Sequence, residues 1–205
     1  MNSKYEFTIS NKLKNCSMLL DYVYEKVLNN SEIRRMVYYD TRNPLDDIGI
    51  GFDGKTIQQK EVSVKQVGEK ELISPLGFTL DIDPELKTAI YFNMPKGNFS
   101  YNHMLYLDVN ILCPTQYIIT STGRRDFEIG QMIANELDKL CVENEFSEDV
   151  GNVEFELVDF ENTRLSKTNS VMWLRCRYKI GLVPIDRVVK SWLVFTKTMI
   201  LLVWF

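Results

Sequence analysis

Leu105, Leu107, Val109, Ile111 and Cys113 take every second position of one run, Tyr106, Asp108 and Asn110 fill places between them, and Pro114 closes it. Successive side chains of an extended chain point to opposite faces, so residues 104–113 predict a strand buried on one side and wet on the other. Such a strand must pair within a sheet and be covered by another layer.

The neighbouring segments supply both. Residues 88–94 read as a second strand, joined to the first through a polar loop containing Gly97, and residues 117–120 read as a continuation of the ladder. Over 124–142, Phe127, Gly130, Ile133, Ala134, Leu137, Leu140 and Cys141 fall on one helical stripe, which predicts a long helix lying across the sheet. Further on, Val153, Phe155 and Leu157 alternate with Glu154 and Glu156. Met172, Leu174, Cys176, Tyr178 and Ile180 alternate with Trp173, Arg175, Arg177 and Lys179. With a turn over 162–170, these two runs predict an antiparallel hairpin whose outer faces are acidic and basic. Each cross-strand pair of opposite charges contributes about 0.2–1 kcal/mol.

The first third of the chain is helical in pattern. Leu19, Leu20, Val23, Val27 and Leu28 form the stripe of a helix over 16–28, Asn29 and Asn30 break it, and Ser31 is placed to cap a second short helix, giving a helical hairpin. Between 40 and 87 the periodicity dissolves into Pro44, Pro75, Pro84, several glycines and charged residues, with a brief alternation at Val62, Val64 and Val67. That stretch predicts a long loop arm facing a partner. The fold class is therefore α+β: a mostly antiparallel sheet of about four or five strands packed by one long helix. A single domain over 1–205 divides into a helical part (1–40), the loop arm (41–87), a sheet–helix core (88–180) and an apolar C-terminal tail (181–205).

Composition bounds the function. A chain of 205 residues that is 45% hydrophobic can bury a real core, and a net charge of −4 creates no overall field to collect nucleic acid or anionic lipid. Cys16, Cys113, Cys141 and Cys176 are scattered without metal-ligand spacing and predict reduced thiols, so no cofactor is expected. The first residues lack the apolar core of a secretory signal. Residues 191–205 are strongly apolar but are interrupted by Lys197 and fall short of the roughly 20 residues that cross a bilayer. No membrane partner is expected; the tail, with Trp204 and Phe205, is predicted to fold back on the core or to insert into a neighbour.

Candidate chemistry is sparse. His103, the only histidine, has no acid and nucleophile at an arguable spacing, and Asp81, Asp83 and Glu85 read as a solvated turn in preference to a cation site. Arg124, Arg125 and Asp126 open the long helix, where arginines serve as inter-subunit ion pairs or touch phosphate. Trp173 beside Arg175 and Arg177 has the makings of a single-stranded nucleic-acid platform, an alternative function that Glu154 and Glu156 weaken by neutralising the stripe. No enzyme class is indicated.

Three segments carry a family likeness: Ala-Ile-Tyr-Phe-Asn-Met at 89–94, Leu-Tyr-Leu-Asp-Val-Asn-Ile-Leu-Cys-Pro at 105–114, and the arginine-led helix at 124–140 that finishes Ile-Ala-Asn-Glu-Leu-Asp-Lys-Leu. In their order, with Glu-Ile-Arg-Arg-Met-Val-Tyr-Tyr-Asp at 32–40 before them, the chain resembles the neck and tail-completion proteins of tailed bacteriophages, the head–tail connectors and tail terminators. The likeness covers about half of the chain; the 40–87 segment and the apolar tail depart from it. It implies a virion structural protein that closes into a homo-oligomeric ring around the DNA channel. Its partners would be copies of itself and portal, connector or tail-tube proteins, with only passive contact to DNA. In that setting Arg124, Arg125, Asp126, Trp173, Arg175, Arg177, Trp204 and Phe205 are the expected subunit or channel contacts.

Overall fold

A computed structural model describes residues 9–75, 87–98, 104–143, 152–165 and 170–183. The strand over 104–113 anchors the architecture. It is strand β5 (Met104–Pro114), paired antiparallel on one side with β4 (Ala89–Asn98) and on the other with β7 (Val171–Val183). Beyond β7 lies β6 (Asn152–Arg164), antiparallel to it, so the 152–183 hairpin forms as its complementary charges require. A two-residue strand β3 (Ile73–Ser74) pairs parallel with β4 at the opposite edge. The sheet order is β3-β4-β5-β7-β6, mixed but mostly antiparallel.

Helix α4 (Arg125–Glu143) covers one face of this sheet, and helices α1 (Ile9–Asn29) and α2 (Ser31–Tyr38) complete the layer. The inward half of the β5 alternation is realised: Leu105, Leu107, Val109 and Ile111 are buried in the same core as Ile129, Ile133, Leu137 and Leu140 of α4. The expected wet face is corrected, because Asp108, Asn110 and Leu112 on the other side are buried as well, between the flanking strands β4 and β7. Leu19, Val23, Val27, Ile33 and Met36 close the core from the helical side. Each fully buried side chain of this size contributes about 1.5–3 kcal/mol. α4 rotates slightly from the predicted stripe, so Phe127 is exposed, whereas Asp126 and Ile129 are buried. On the other sheet face a smaller cluster joins Leu112, Val171 and Trp173 under Tyr91 and Leu165. Trp173 thus alternates to the outer face as expected, yet is covered there.

Three local expectations are corrected. Asn30, not Ser31, caps α2: its side-chain oxygen accepts from the backbone N–H of Ile33 at 3.0 Å, and its amide nitrogen donates to Glu136 on α4 at 3.0 Å. Asparagine's side chain both accepts and donates, which lets one residue end α1, start α2 and tie both to α4. Residues 115–117 form a single 3-10 turn, and Ile119 makes only an isolated bridge with Arg124, so the ladder stops at Pro114.

The third correction concerns the loop arm. Residues 41–75 are folded: β1 (Ile48–Ile50) and β2 (Thr56–Gln58) make a separate hairpin, α3 (Val64–Glu69) follows, and β3 joins the main sheet. Gly54, at a φ of 82°, supplies the left-handed residue that the turn between β1 and β2 needs. Ser63 and Gln66 form a capping box, the serine hydroxyl accepting from the Gln66 backbone N–H at 3.3 Å and the Gln66 side-chain Oε1 accepting from the Ser63 backbone N–H at 2.9 Å. Val62, Val67, Leu72 and Ile73 are buried in the main core. These apolar residues are isolated in sequence, so they leave no period to read, but each fills a gap made by other elements.

Candidate interaction surfaces

The first turn of α4 is built around Arg125, whose side chain is fully buried. Helix α2 finishes with carbonyls that have no partner inside the helix, and Arg125 answers them. Its Nη1 donates to the backbone oxygens of Met36 at 3.0 Å and Tyr39 at 2.6 Å, and its Nη2 donates to that of Thr41. Burial lowers the pKa of its guanidinium from the ordinary arginine value, opposed by the nearby Cys113 and Asp40. Asp126 is fully buried as well. It accepts from Arg124 at 2.7 and 3.2 Å, from the Asn162 amide at 3.0 Å and from the Phe127 N–H at 3.0 Å. Arg124 also donates to the Asn162 oxygen at 3.0 Å, fastening α4 to β6.

The expectation for this triplet is thus corrected in two members. Arg125 and Asp126 serve contacts inside the chain and present no side-chain surface to a neighbour or a channel. Arg124, with 39% of its side chain exposed, is the one that reaches the surface, where its guanidinium lies 4.9 Å from the Phe127 ring centre.

The outer sheet face carries the aromatic and basic residues of β7. Trp173 is only 8% exposed and donates from Nε1 to Asn110 at 3.0 Å, so its ring is not presented for stacking on a base. Arg175 reaches Asp159 at 3.3 Å and Glu161 at 3.1 Å, and Lys179 reaches Glu156 at 3.2 Å. Arg177 departs from the predicted pairing. It turns to β5 and holds Asp108 with two hydrogen bonds of 2.7 and 2.8 Å; Asp108 and Asp159 both lie opposite it in register, but Asp108 is nearly buried whereas Asp159 is exposed and pairs with Arg175. That bidentate pair is the strongest electrostatic contact on the face; the exposed pairs each contribute about 0–1 kcal/mol. Each of the three cations is neutralised in place.

Two apolar surfaces are exposed that the sequence did not single out. One is the β1–β2 hairpin, where Ile48 (58%) and Ile50 point outward on the same strand face. Arg42, Ile50, Phe52 and Ile119 line an adjoining cleft, with Ile119 59% exposed. Phe52 is fixed there by the Tyr117 ring at 5.1 Å and the Arg42 guanidinium at 5.9 Å. The alternation Ile48-Gly49-Ile50 was the available signal, too short to be read as a strand. The other surface follows β6, where Leu157, Val158 and Phe160 are exposed and Phe160 meets Phe127 of α4 edge to face at 6.3 Å. A bulge between Leu157 and Asp159 produces this cluster by inserting Val158 into the strand, and no pattern in the sequence announces it.

Among the described residues no three acidic, histidine or cysteine side chains gather as a metal site, and no helix is long and apolar enough to cross a membrane. His103, Asp81, Asp83, Glu85, Trp204 and Phe205 lie outside the described residues. No protein-family model, curated protein or solved structure matches this chain.

Proposed function

We propose that this chain is a structural subunit of a virion, assembling with copies of itself into a ring at the neck or tail junction of a tailed phage and working through protein–protein contacts around the DNA channel. The observation that carries the reading is the outward apolar surface of the β1–β2 hairpin and Ile119. Isoleucines displayed together on a short two-stranded hairpin gain nothing in water and are stabilised when a partner covers them. A ring needs a patch that meets a different patch on the next copy, and an exposed apolar hairpin face suits that heterologous contact. Portal, connector or tail-tube proteins are the proposed neighbours above and below the ring.

The charge arrangement fits a wall past which DNA moves without being held. Arg175, Arg177 and Lys179 are paired, and the chain as a whole is acidic. These pairings and the covered Trp173 weigh against the alternative of a nucleic-acid platform. Multi-angle light scattering of the purified protein, together with particle images of virions, tests the proposal. A closed oligomer matching a ring in the particle supports it, and a monomer at all concentrations that is absent from virions overturns it.

A further inference from the structure

We infer that residues 191–205 of the same chain dock on the apolar surface formed by Leu157, Val158 and Phe160 of β6 with Phe127 of α4. β6 is the last strand of the sheet among the described residues, so its outer edge is open, and it displays this apolar cluster at the same place. An open strand edge bearing apolar side chains is a contact surface that folded proteins cover or blunt.

Chain geometry selects the occupant. Val183, the last described residue of β7, is paired with Asn152, the first described residue of β6, so the chain beyond Val183 begins directly beside β6. Phe160 lies roughly 26 Å along β6 from that point, at about 3.3 Å per residue. The linker over 184–190 can reach about 23 Å, and neighbouring strands are only about 4.8 Å apart, so residues 191–205 can lie against the whole cluster. Their chemistry matches. Trp192, Leu193, Val194 and Phe195 precede the apolar run 199–205, and Lys197 is the one charged side chain among them. Covalent attachment holds the segment near the surface at an effective concentration on the order of millimolar, an advantage that a separate molecule lacks.

The bulge at Val158 interrupts a simple continuation of the ladder and turns consecutive apolar side chains outward, so the contact is chiefly between side chains. It differs in place and partner from the hairpin surface assigned to ring contacts.

The test uses the full chain carrying Phe160→p-benzoylphenylalanine, a photo-crosslinking aromatic, prepared as a mixture of isotopically light and heavy molecules. Crosslinks that run into 191–205 and join light only to light and heavy only to heavy are the expected result. Mixed light–heavy crosslinks would show that a second copy supplies the segment, and crosslinks elsewhere or none would show that the segment does not sit there; either overturns the inference. A second measurement follows tryptic cleavage after Lys190 and Lys197 in the chain with Leu157→Asp and Phe160→Asp, both exposed positions. Release of the segment should speed cleavage by about tenfold or more, and an unchanged rate overturns the inference. Light scattering on the same samples keeps the ring separate, since a ring without these crosslinks defeats only the docking, and a monomer with them defeats only the ring.

Discussion

Arg125 donates to the backbone oxygen of Tyr39 at 2.6 Å from a fully buried position, so the first turn of α4 is fastened to the chain that leaves α2 by one guanidinium. The same side chain holds Met36 and Thr41, which makes it the joint between the helical layer and the segment leading into the β1–β2 hairpin.

Replacing it should therefore be costly. Arg125→Met keeps an apolar stem but leaves the oxygens of Met36, Tyr39 and Thr41 without this donor, and the expected loss is about 3–5 kcal/mol. Urea unfolding at neutral pH measures it, and a loss below about 1 kcal/mol would contradict the role.

Asp108 and Arg177 should behave as a coupled pair. Asp108→Ala leaves a partly buried guanidinium without its carboxylate and is expected to cost about 2–3 kcal/mol. Combining it with Arg177→Met should cost less than the two single changes together, with a coupling of about 1–2 kcal/mol. A double-mutant cycle reads this directly, and simple additivity would mean that the two hydrogen bonds contribute nothing as a pair.

Burial pushes the Cys113 thiol up from 9.0 to about 12 and the Cys176 thiol up to about 11. Neither should react with a thiol reagent at pH 8 until the protein unfolds. The linkage has a definite sign. A raised native pKa means that the folded chain keeps protons that the unfolded chain releases, so the contribution of these groups is fully present below pH 9.0 and is lost as pH rises toward 11 to 12. Native-state labelling and unfolding curves above pH 9 check both statements.

Gly130 sits where α4 approaches the sheet, and a Cβ added there would lie 3.5 Å from Leu174, 3.6 Å from Ile111 and 3.8 Å from Cys176, all ordinary contacts. Gly130→Ala should therefore stabilise the protein by about 0.5–1 kcal/mol through helix propensity and reduced freedom of the unfolded chain. A drop in melting temperature would show that the helix approaches more tightly than these distances state.

The hairpin surface offers the sharpest separation of assembly from folding. Ile48→Glu and Ile50→Glu change exposed side chains, so stability should move by no more than about 0.5 kcal/mol, whereas a ring that uses this face should fall to smaller species. Light scattering beside a melting curve distinguishes the two effects; a ring that survives both substitutions would place its interface elsewhere.

Much of the sheet was legible because its strands are long and place apolar residues at alternate positions. β5 showed its period in five alternate apolar residues, β6 and β7 showed theirs together with opposite charges, and α4 showed a helical stripe of sufficient length. The 41–75 region was illegible for the converse reason: strands of three residues and singly placed Val62, Val67 and Leu72 contain too few positions for a period to emerge. Nor could the candidate contacts be sorted by residue type. Arg124, Arg125 and Trp173 read alike as surface groups, yet one is half in solvent and two are covered.

The sequence by itself determined an α+β chain, the antiparallel core strands, the long helix and the absence of an overall basic field, since these follow from local periodicity and summed charge. Only the tertiary structure decided that Arg125 turns inward to the carbonyls after α2, that Arg177 chooses Asp108 over the acids of β6, and that the β1–β2 hairpin and the bulged edge of β6 are left exposed. Those outcomes depend on which distant segments meet, and a side chain's partner across the fold is set by the register and packing of whole elements, which no stretch of neighbouring residues encodes.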